Sequence, residues 1–261
     1  MKSKKKEKYP RRIVYYDAYT DDFEAEADGA RAVDSNYRYI RNSVFFKAMS
    51  FVAHNIIAPP FAFGYSRLFL REKYIGKHKL KGQGGYVIYA NHAEPVGDAL
   101  CPHTVTFPKK TYTVVHPDNV ALPVIGKLIP YLGAIPTPIG LRGARHFSEC
   151  IKTRLDEGSA IVIFPEAHVW KKYTGIRPFS EASFEFPVKY SCPAFSFTRT
   201  YRRMPLFGYR CCIYIDGPFY QDESLPRASA RAKLMDEIHT VMSERSRLSD
   251  VEIIRYIRKE K

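Results

Sequence analysis

The rhythm of apolar and polar positions changes twice along the 261 residues of this chain. Residues 1–40 show no period that places a core element. A basic head, Lys2 to Arg12, gives way to an acidic patch of Asp17, Asp21, Asp22, Glu24, Glu26 and Asp28. Tyr15, Tyr16 and Tyr19 are suited to pin this arm to a domain surface. From Ala48 to Ser66 there is no charged residue. Val44, Phe45, Ala48, Phe51, Val52 and Asn55-Ile56 recur at helical spacing. Pro59-Pro60 is expected to break that helix, and Phe61, Phe63, Tyr65, Leu68 and Phe69 form a second apolar piece. The stretch approaches the roughly 20 residues of a membrane span. Its prolines, and His54-Asn55 near its middle, fit a helix lying in the bilayer interface better than one crossing it. An ordinary pair of core helices is the alternative.

Beyond residue 85, short β-rich runs alternate with helical periods. Tyr86–Ala90, Tyr112–His116, Ala160–Phe164, Ala194–Thr198 and Cys211–Asp216 read as strands. Val120–Leu132 reads as a helix with Pro123 in its first turn. Ala144–Glu157 places Phe147, Cys150, Ile151 and Leu155 on one face before a stop at Gly158, and Arg227–Arg245 repeats the period with Leu234, Met235, Ile238, Val241 and Met242. This alternation predicts an α/β fold: a single domain with a mostly parallel or mixed central sheet flanked by helices, preceded by an N-terminal apolar helical segment. The expected divisions are a peripheral arm (1–40), an apolar membrane-interacting segment (41–72), a core (73–225), and a C-terminal helix with a basic tail (226–261).

Hydrophobic residues make up 45% of the chain, which excludes global disorder. The net charge of +14 favours an anionic partner: nucleic acid, an anionic membrane surface or a phosphorylated substrate. The basic residues follow no nucleic-acid-binding motif, so nucleic acid is not the expected partner. Cys101, Cys150, Cys192, Cys211 and Cys212 are odd in number and irregular in spacing, which argues against a disulfide framework. A reducing cytoplasmic compartment is expected. The basic start leads into no apolar run, so no secretory signal is read.

Two segments carry candidate chemistry. Tyr86 to Asp98 reads as a buried strand that delivers Asn91 and His92 at its end, with Glu94 and Asp98 following. A histidine backed by a carboxylate is a general base. Pro95 and Gly97 make a loop that lets Asp98 open the next helix and reach back to the imidazole, with Glu94 as the competing partner. The second segment, Ala160 to His168, ends a strand in Pro165-Glu166. Backbone N–H groups of that turn are candidates for oxyanion stabilisation. Lys171, Lys172 and Arg177 follow in a basic loop suited to phosphate. In open α/β sheets the site lies beyond the carboxyl ends of the strands, so His92 and Glu166 are expected to share a crevice. His92-Ala93-Glu94 also fits the His-x-Glu element of zinc deaminases, but the Pro-Cys-x-x-Cys element is missing. No Gly-x-Ser-x-Gly elbow supports a serine acyl-enzyme.

Over roughly residues 43–220 these pieces resemble the glycerolipid acyltransferase family, whose best-known members are the lysophosphatidate acyltransferases. Asn91-His92…Asp98 resembles the family's His-x4-Asp motif. Gly133-Ala134-Ile135 with Arg142 and Arg145 resembles the second block, in which an arginine serves the acceptor phosphate. Phe164-Pro165-Glu166 resembles Phe-Pro-Glu-Gly-Thr-Arg, and Cys192-Pro193-Ala194-Phe195 the Pro-centred fourth block. The chain departs from the pattern in three places. The second block has extra residues between Gly133 and Arg142, which leaves Arg142 and Arg145 as alternatives for its arginine. Five residues separate His92 from Asp98 where the family has four, and Glu166-Ala167-His168-Val169 lacks the third block's arginine, a loss for which His168, Lys171 or Lys172 is a substitute. The resemblance implies an enzyme that moves a fatty acyl group from an acyl thioester, acyl-CoA or acyl carrier protein, to the hydroxyl of a lysophospholipid or glycerol-phosphate acceptor. His92, Asp98 and Glu166 would be catalytic. Asn91, Glu94, Arg142, Arg145, His168, Lys171 and Lys172 would contact substrate. No metal and no resident cofactor is implied, and the expected location is cytoplasmic and peripheral to a membrane. A non-catalytic lipid-binding relative is the alternative.

Overall fold

In the computed structural model, which describes residues 9–23, 33, 36–205 and 208–259, a seven-stranded mixed sheet carries the fold. In chain order the elements begin with β1 (Arg12–Tyr16), α1 (Val44–Val52), α2 (Ala58–Leu68), β2 (Lys73–Ile75), β3 (Tyr86–Ala90), α3 (Pro95–Thr106), β4 (Thr111–Val115), α4 (Pro117–Ala121), α5 (Ile125–Leu128) and β5 (Ala134–Pro136). There follow α6 (Gly140–Asp156), β6 (Ala160–Ile163), α7 (Glu185–Tyr190), β7 (Ala194–Met204), β8 (Gly208–Phe219), α8 (Arg227–Ser246) and β9 (Ile254–Arg258). The sheet order is β2-β8-β7-β3-β6-β4-β5, with β1 and β9 forming a separate parallel pair. Strands β7, β3, β6, β4 and β5 are parallel to one another; β8 is antiparallel to β7 and parallel to β2. The predicted α/β class and central sheet flanked by helices are present.

Period-two alternation sets the two faces. Val87 and Tyr89 point toward α6, α7 and α8, where Phe147, Ile151, Leu234, Ile238 and Met242 complete one core. Tyr86, Ile88 and Ala90 point the other way, onto Cys101 and Val105 of α3 and onto Phe195, Phe197, Ile213 and Ile215. β3 is therefore buried on both faces, as a central strand of a covered sheet must be. Gly158, with φ +76°, ends α6 in the left-handed conformation that glycine takes without strain.

Several expectations are corrected. The proline pair does not break the apolar helix. The chain stays helical from Val44 to Leu68 through a wide turn at Ala53–Ile57, where the Ala58 N–H reaches back five residues to the Ala53 carbonyl. Pro59 and Pro60 then occupy the first turn of α2, where a missing N–H matters least. The helix read over Val120–Leu132 is two short helices. Leu122, just before Pro123, leaves the helical region (ψ 136°), and Val124 has φ +62°. The arm holds a strand after all: β1 pairs with β9, Arg12 opposite Ile254, and Tyr16 is buried. Lys2–Lys8, Glu24, Glu26, Asp28 and Lys261 lie outside the described residues. The five cysteines are buried and free.

Candidate active site

β3 ends at Ala90, and Asn91 extends its pairing by side chain. The Asn91 Oδ1 accepts the Arg199 N–H at 2.8 Å and its Nδ2 donates to the Arg199 carbonyl at 3.2 Å. Both polar groups of this buried amide are occupied by β7, so Asn91 anchors the sheet edge. His92 is thereby fixed as the first residue beyond the edge. Its N–H donates to Glu166 Oε2 at 3.3 Å and its carbonyl accepts the Trp170 N–H at 3.0 Å. Its ring stacks on Phe164 with centroids 4.3 Å apart. The His92 side chain is 18% exposed, so a ligand can reach it.

Of the two competing carboxylates, Asp98 is on the imidazole: Nδ1 and Asp98 Oδ2 are 2.9 Å apart. Asp98 does not open the helix. α3 starts at Pro95, with Glu94 as its N-cap, and Asp98 is the fourth residue of the first turn. From there Oδ2 also accepts the Glu94 N–H at 2.9 Å. The close approach at Gly97, where a Cβ would lie 2.8 Å from Leu70, lets this turn sit against the end of α2. Glu94 faces the interior. It pairs with Lys172 and receives the Tyr201 hydroxyl at 3.5 Å.

Behind Asp98 lies a network that sequence reasoning missed. Arg199 Nη2 is 3.3 Å from Asp98 Oδ1, and Arg199 Nη1 is 2.5 Å from Glu72 Oε1. The Tyr74 hydroxyl completes the Glu72 coordination. Burial alone would push the Arg199 guanidinium down; Glu72 and Asp98 more than offset it and hold the group well above its ordinary value. The available signals were a charge inside a strand otherwise reading Ala-Phe-Ser-Phe-Thr, and an acid, Glu72, just beyond Leu68-Phe69-Leu70.

Glu166 does sit next to His92, but its carboxylate is buried and engaged. Oε2 accepts Arg177 Nη2 at 2.9 Å, and Oε1 accepts the Arg177 N–H at 3.0 Å. Arg177, read from the sequence as part of a basic loop for phosphate, further donates to the His168 carbonyl and, at 3.4 Å, to the Tyr19 carbonyl. The turn amides expected to hold an oxyanion are occupied: the Ala167 N–H by the Phe164 carbonyl and the His168 N–H by the Glu166 carbonyl. The Lys172 N–H bonds the Ala93 carbonyl at 2.8 Å, so residues 170–172 run beside His92 and Ala93. Burial lowers the Lys172 ammonium to about 8.

The remaining predicted residues are dispersed. His168 pairs with Asp22 of the arm at 3.1 Å. Lys171 is exposed, and its carbonyl accepts the Tyr256 hydroxyl at 2.9 Å. Arg142 and Arg145 are exposed on the first turns of α6, with Arg145 bonded to Glu149 at 2.9 Å. α6 follows β5, three strands from β3 and so about 14 Å away along the same sheet edge. Among the described residues no group of three or more His, Cys, Asp or Glu is arranged to hold a metal ion.

Residues 71–198 match the family model described as Acyltransferase. No curated protein matches the chain. Among solved structures, the chain is similar to the 1-acyl-sn-glycerophosphate (LPA) acyltransferase PlsC from Thermotoga maritima. The identity is 15%, the match covers 77% of this chain and 94% of that one, and the TM-score is 0.48.

Proposed function

From the match of residues 71–198 to the family model described as Acyltransferase, we propose that this chain moves a fatty acyl group from an acyl thioester to the hydroxyl of a lysophospholipid or glycerol-phosphate acceptor. The observation that carries this reading is the 2.9 Å contact between His92 Nδ1 and Asp98 Oδ2 at the end of a central strand. An ionised carboxylate only accepts hydrogen bonds, so Nδ1 holds the proton and Nε2 keeps its lone pair. Nε2 takes the proton from the acceptor hydroxyl as that oxygen adds to the thioester carbonyl. The C–S bond then breaks, and the imidazolium returns the proton to the leaving thiolate. Asp98 holds the ring and offsets its charge in between.

The other residues act around this pair. Glu166 and Arg177 fix the backbone of His92, and Arg199 fixes Asp98. Arg142 has no ion pair among the described residues and meets the acceptor phosphate more readily than Arg145, which Glu149 engages. The donor is acyl-CoA or acyl carrier protein. No helix among the described residues is long and apolar enough to cross a membrane. The exposed apolar side chains of α1 and α2 support peripheral attachment to an anionic membrane surface.

The test is thiol release from a long-chain acyl-CoA in the presence of lysophosphatidate, with the lipid product read by mass spectrometry. His92→Ala is expected to lower turnover by at least about 10²-fold with an unchanged circular dichroism spectrum. An unchanged rate removes the base assignment. Lipid binding by the wild-type protein without thiol release from any donor would favour the non-catalytic alternative.

A further inference from the structure

A cavity of about 1120 Å³ opens at the opposite edge of the sheet, among the amino ends of β3, β4 and β6 and the first helix. Tyr86, in its wall, lies six residues before His92, about 20 Å along an extended strand. The cavity is therefore separate from the His92–Asp98 pair. Seven lysines and arginines line it against one carboxylate, Glu157. Glu157 is engaged by Arg154 at 2.8 Å. The Lys109 ammonium is held by the carbonyls of Gln83, Gly84 and Gly158. Arg41, Lys47, Lys77, Lys81 and Lys110 have no ion pair among the described residues; of these, the Lys77 ammonium donates to the Thr104 carbonyl at 3.2 Å and the Arg41 Nε to the Arg38 carbonyl at 3.4 Å. These cations crowd one another. Burial, then Arg67 and Lys81, hold Lys77 below the ordinary lysine value, and burial, then Arg154, does the same to Lys110. The wall also carries five aromatic side chains, Phe46 and Phe51 of α1, Phe107, Tyr86 and Tyr112, among aliphatic and polar residues.

We infer that this cavity is a second ligand site, which takes a phosphate group attached to an apolar or aromatic body. Five cations without an ion pair among the described residues, gathered around one recess, supply the charge-assisted hydrogen bonds that a phosphate accepts. The aromatic wall, continuous with the exposed Phe45 and Phe51 of α1, covers the attached body. Two sources carry this chemistry: the headgroup of an anionic phospholipid and a free phosphorylated metabolite. The site does not depend on the acyl-transfer reading, because none of its residues touches His92 or Asp98.

The experiment uses the full chain and two probes. Binding of inorganic pyrophosphate is measured by calorimetry, and binding to phosphatidylcholine vesicles with and without phosphatidate by flotation. Lys81→Glu with Lys110→Glu is expected to weaken binding by at least about tenfold, whereas Lys81→Arg with Lys110→Arg retains it. Loss toward both probes upholds the site. Loss toward vesicles alone identifies the headgroup as the ligand, and loss toward pyrophosphate alone a soluble phosphate. Wild-type protein that binds neither probe, or a glutamate variant that binds both as wild type does, overturns the inference. Thermal unfolding reports whether the glutamate variant folds, and Lys47→Glu on α1 carries the same test if it does not. Thiol release from detergent-dispersed substrate is expected to be unchanged in these variants, so failure of this site and failure of the acyl-transfer reading appear in different assays.

Discussion

At the scale of single residues, the candidate site is a chain of four buried or half-buried polar side chains: His92, Asp98, Arg199 and Glu72. Each is satisfied by the next. Asp98→Asn is expected to lower turnover by about 10²-fold or more, since an amide donor facing Nδ1 selects the wrong tautomer. Glu94→Gln is expected to stay within a few-fold of wild type, because Glu94 answers to Lys172 and not to the imidazole. Steady-state rates of the two variants side by side decide between them. Equal losses would undo the assignment of Asp98. Arg199→Met leaves two carboxylates, Asp98 and Glu72, buried without their cation, and is expected to cost about 3–5 kcal/mol in chemical denaturation. A change under about 1 kcal/mol would mean that the pair is solvated. Sequence reasoning found His92 and Asp98 because a strand end followed by a short acidic turn is a local pattern. Arg199 and Arg177 lie 107 and 85 residues from His92, and only the strand order brings them in. Asn91 and Glu166 lie beside His92 as expected, but their polar groups are already engaged by Arg199 and Arg177, which a sequence does not show.

At the scale of elements, the five strands read from alternation are all present. The strands that were missed are short edge pieces (β2 and β5) or depend on a distant partner (β1 and β9). β1 and β9 pair across the two ends of the chain, a contact with no local signature. Their function is visible in what they cover. The single tryptophan, Trp170, is fully buried against Tyr16, Tyr19 and Phe23 of the arm and stacks on Tyr256 of β9 at 4.8 Å. Its indole N–H donates to the Asp21 carbonyl at 2.8 Å. The same segment carries the Trp170 N–H that holds the His92 carbonyl. Deleting residues 1–23 is therefore expected to move Trp170 emission to the red and to lower turnover, by up to about 10²-fold if His92 shifts by an ångström. Red-shifted emission with undiminished turnover would separate the arm from the site.

At the scale of the whole molecule, burial and the bilayer make opposite demands on one helical run. Its inward face is built from Ser50, Ala53, His54, Ala58, Ala62 and Ser66, and its outward face from Phe45, Met49, Phe51, Ile56, Ile57, Phe61, Phe63 and Leu68. The inward residues recur every fourth position, a pattern that drifts around a 3.6-residue helix, and the wide turn at Ala53–Ile57 takes back part of that drift. One consequence is pH-dependent. Burial, then the neighbouring His103, lowers His54 to about 3, and burial lowers His103 to about 4. Below pH 6.5 the unfolded chain takes up protons that the folded chain refuses, so stability falls as the pH drops. The loss is about 2 kcal/mol per ring by pH 5. Denaturation midpoints at pH 7.5 and pH 5 are expected to differ less in the His54→Gln, His103→Gln variant. The second consequence concerns the bilayer. A water-soluble helix buries its large side chains, and this one buries its small ones, so its outward face matches lipid and not water. Ile57→Ser, Phe61→Ser and Leu68→Ser alter side chains that are 47%, 72% and 73% exposed. Their loss is expected to leave thermal stability nearly unchanged while weakening partition into phosphatidylcholine–phosphatidate vesicles by about 10²-fold or more. Salt separates this face from the net charge of +14: the loss caused by the serines persists at high ionic strength, where attraction between exposed charges is screened. Undiminished vesicle binding by the triple variant would instead assign attachment to the basic surface and leave the apolar face for a protein partner.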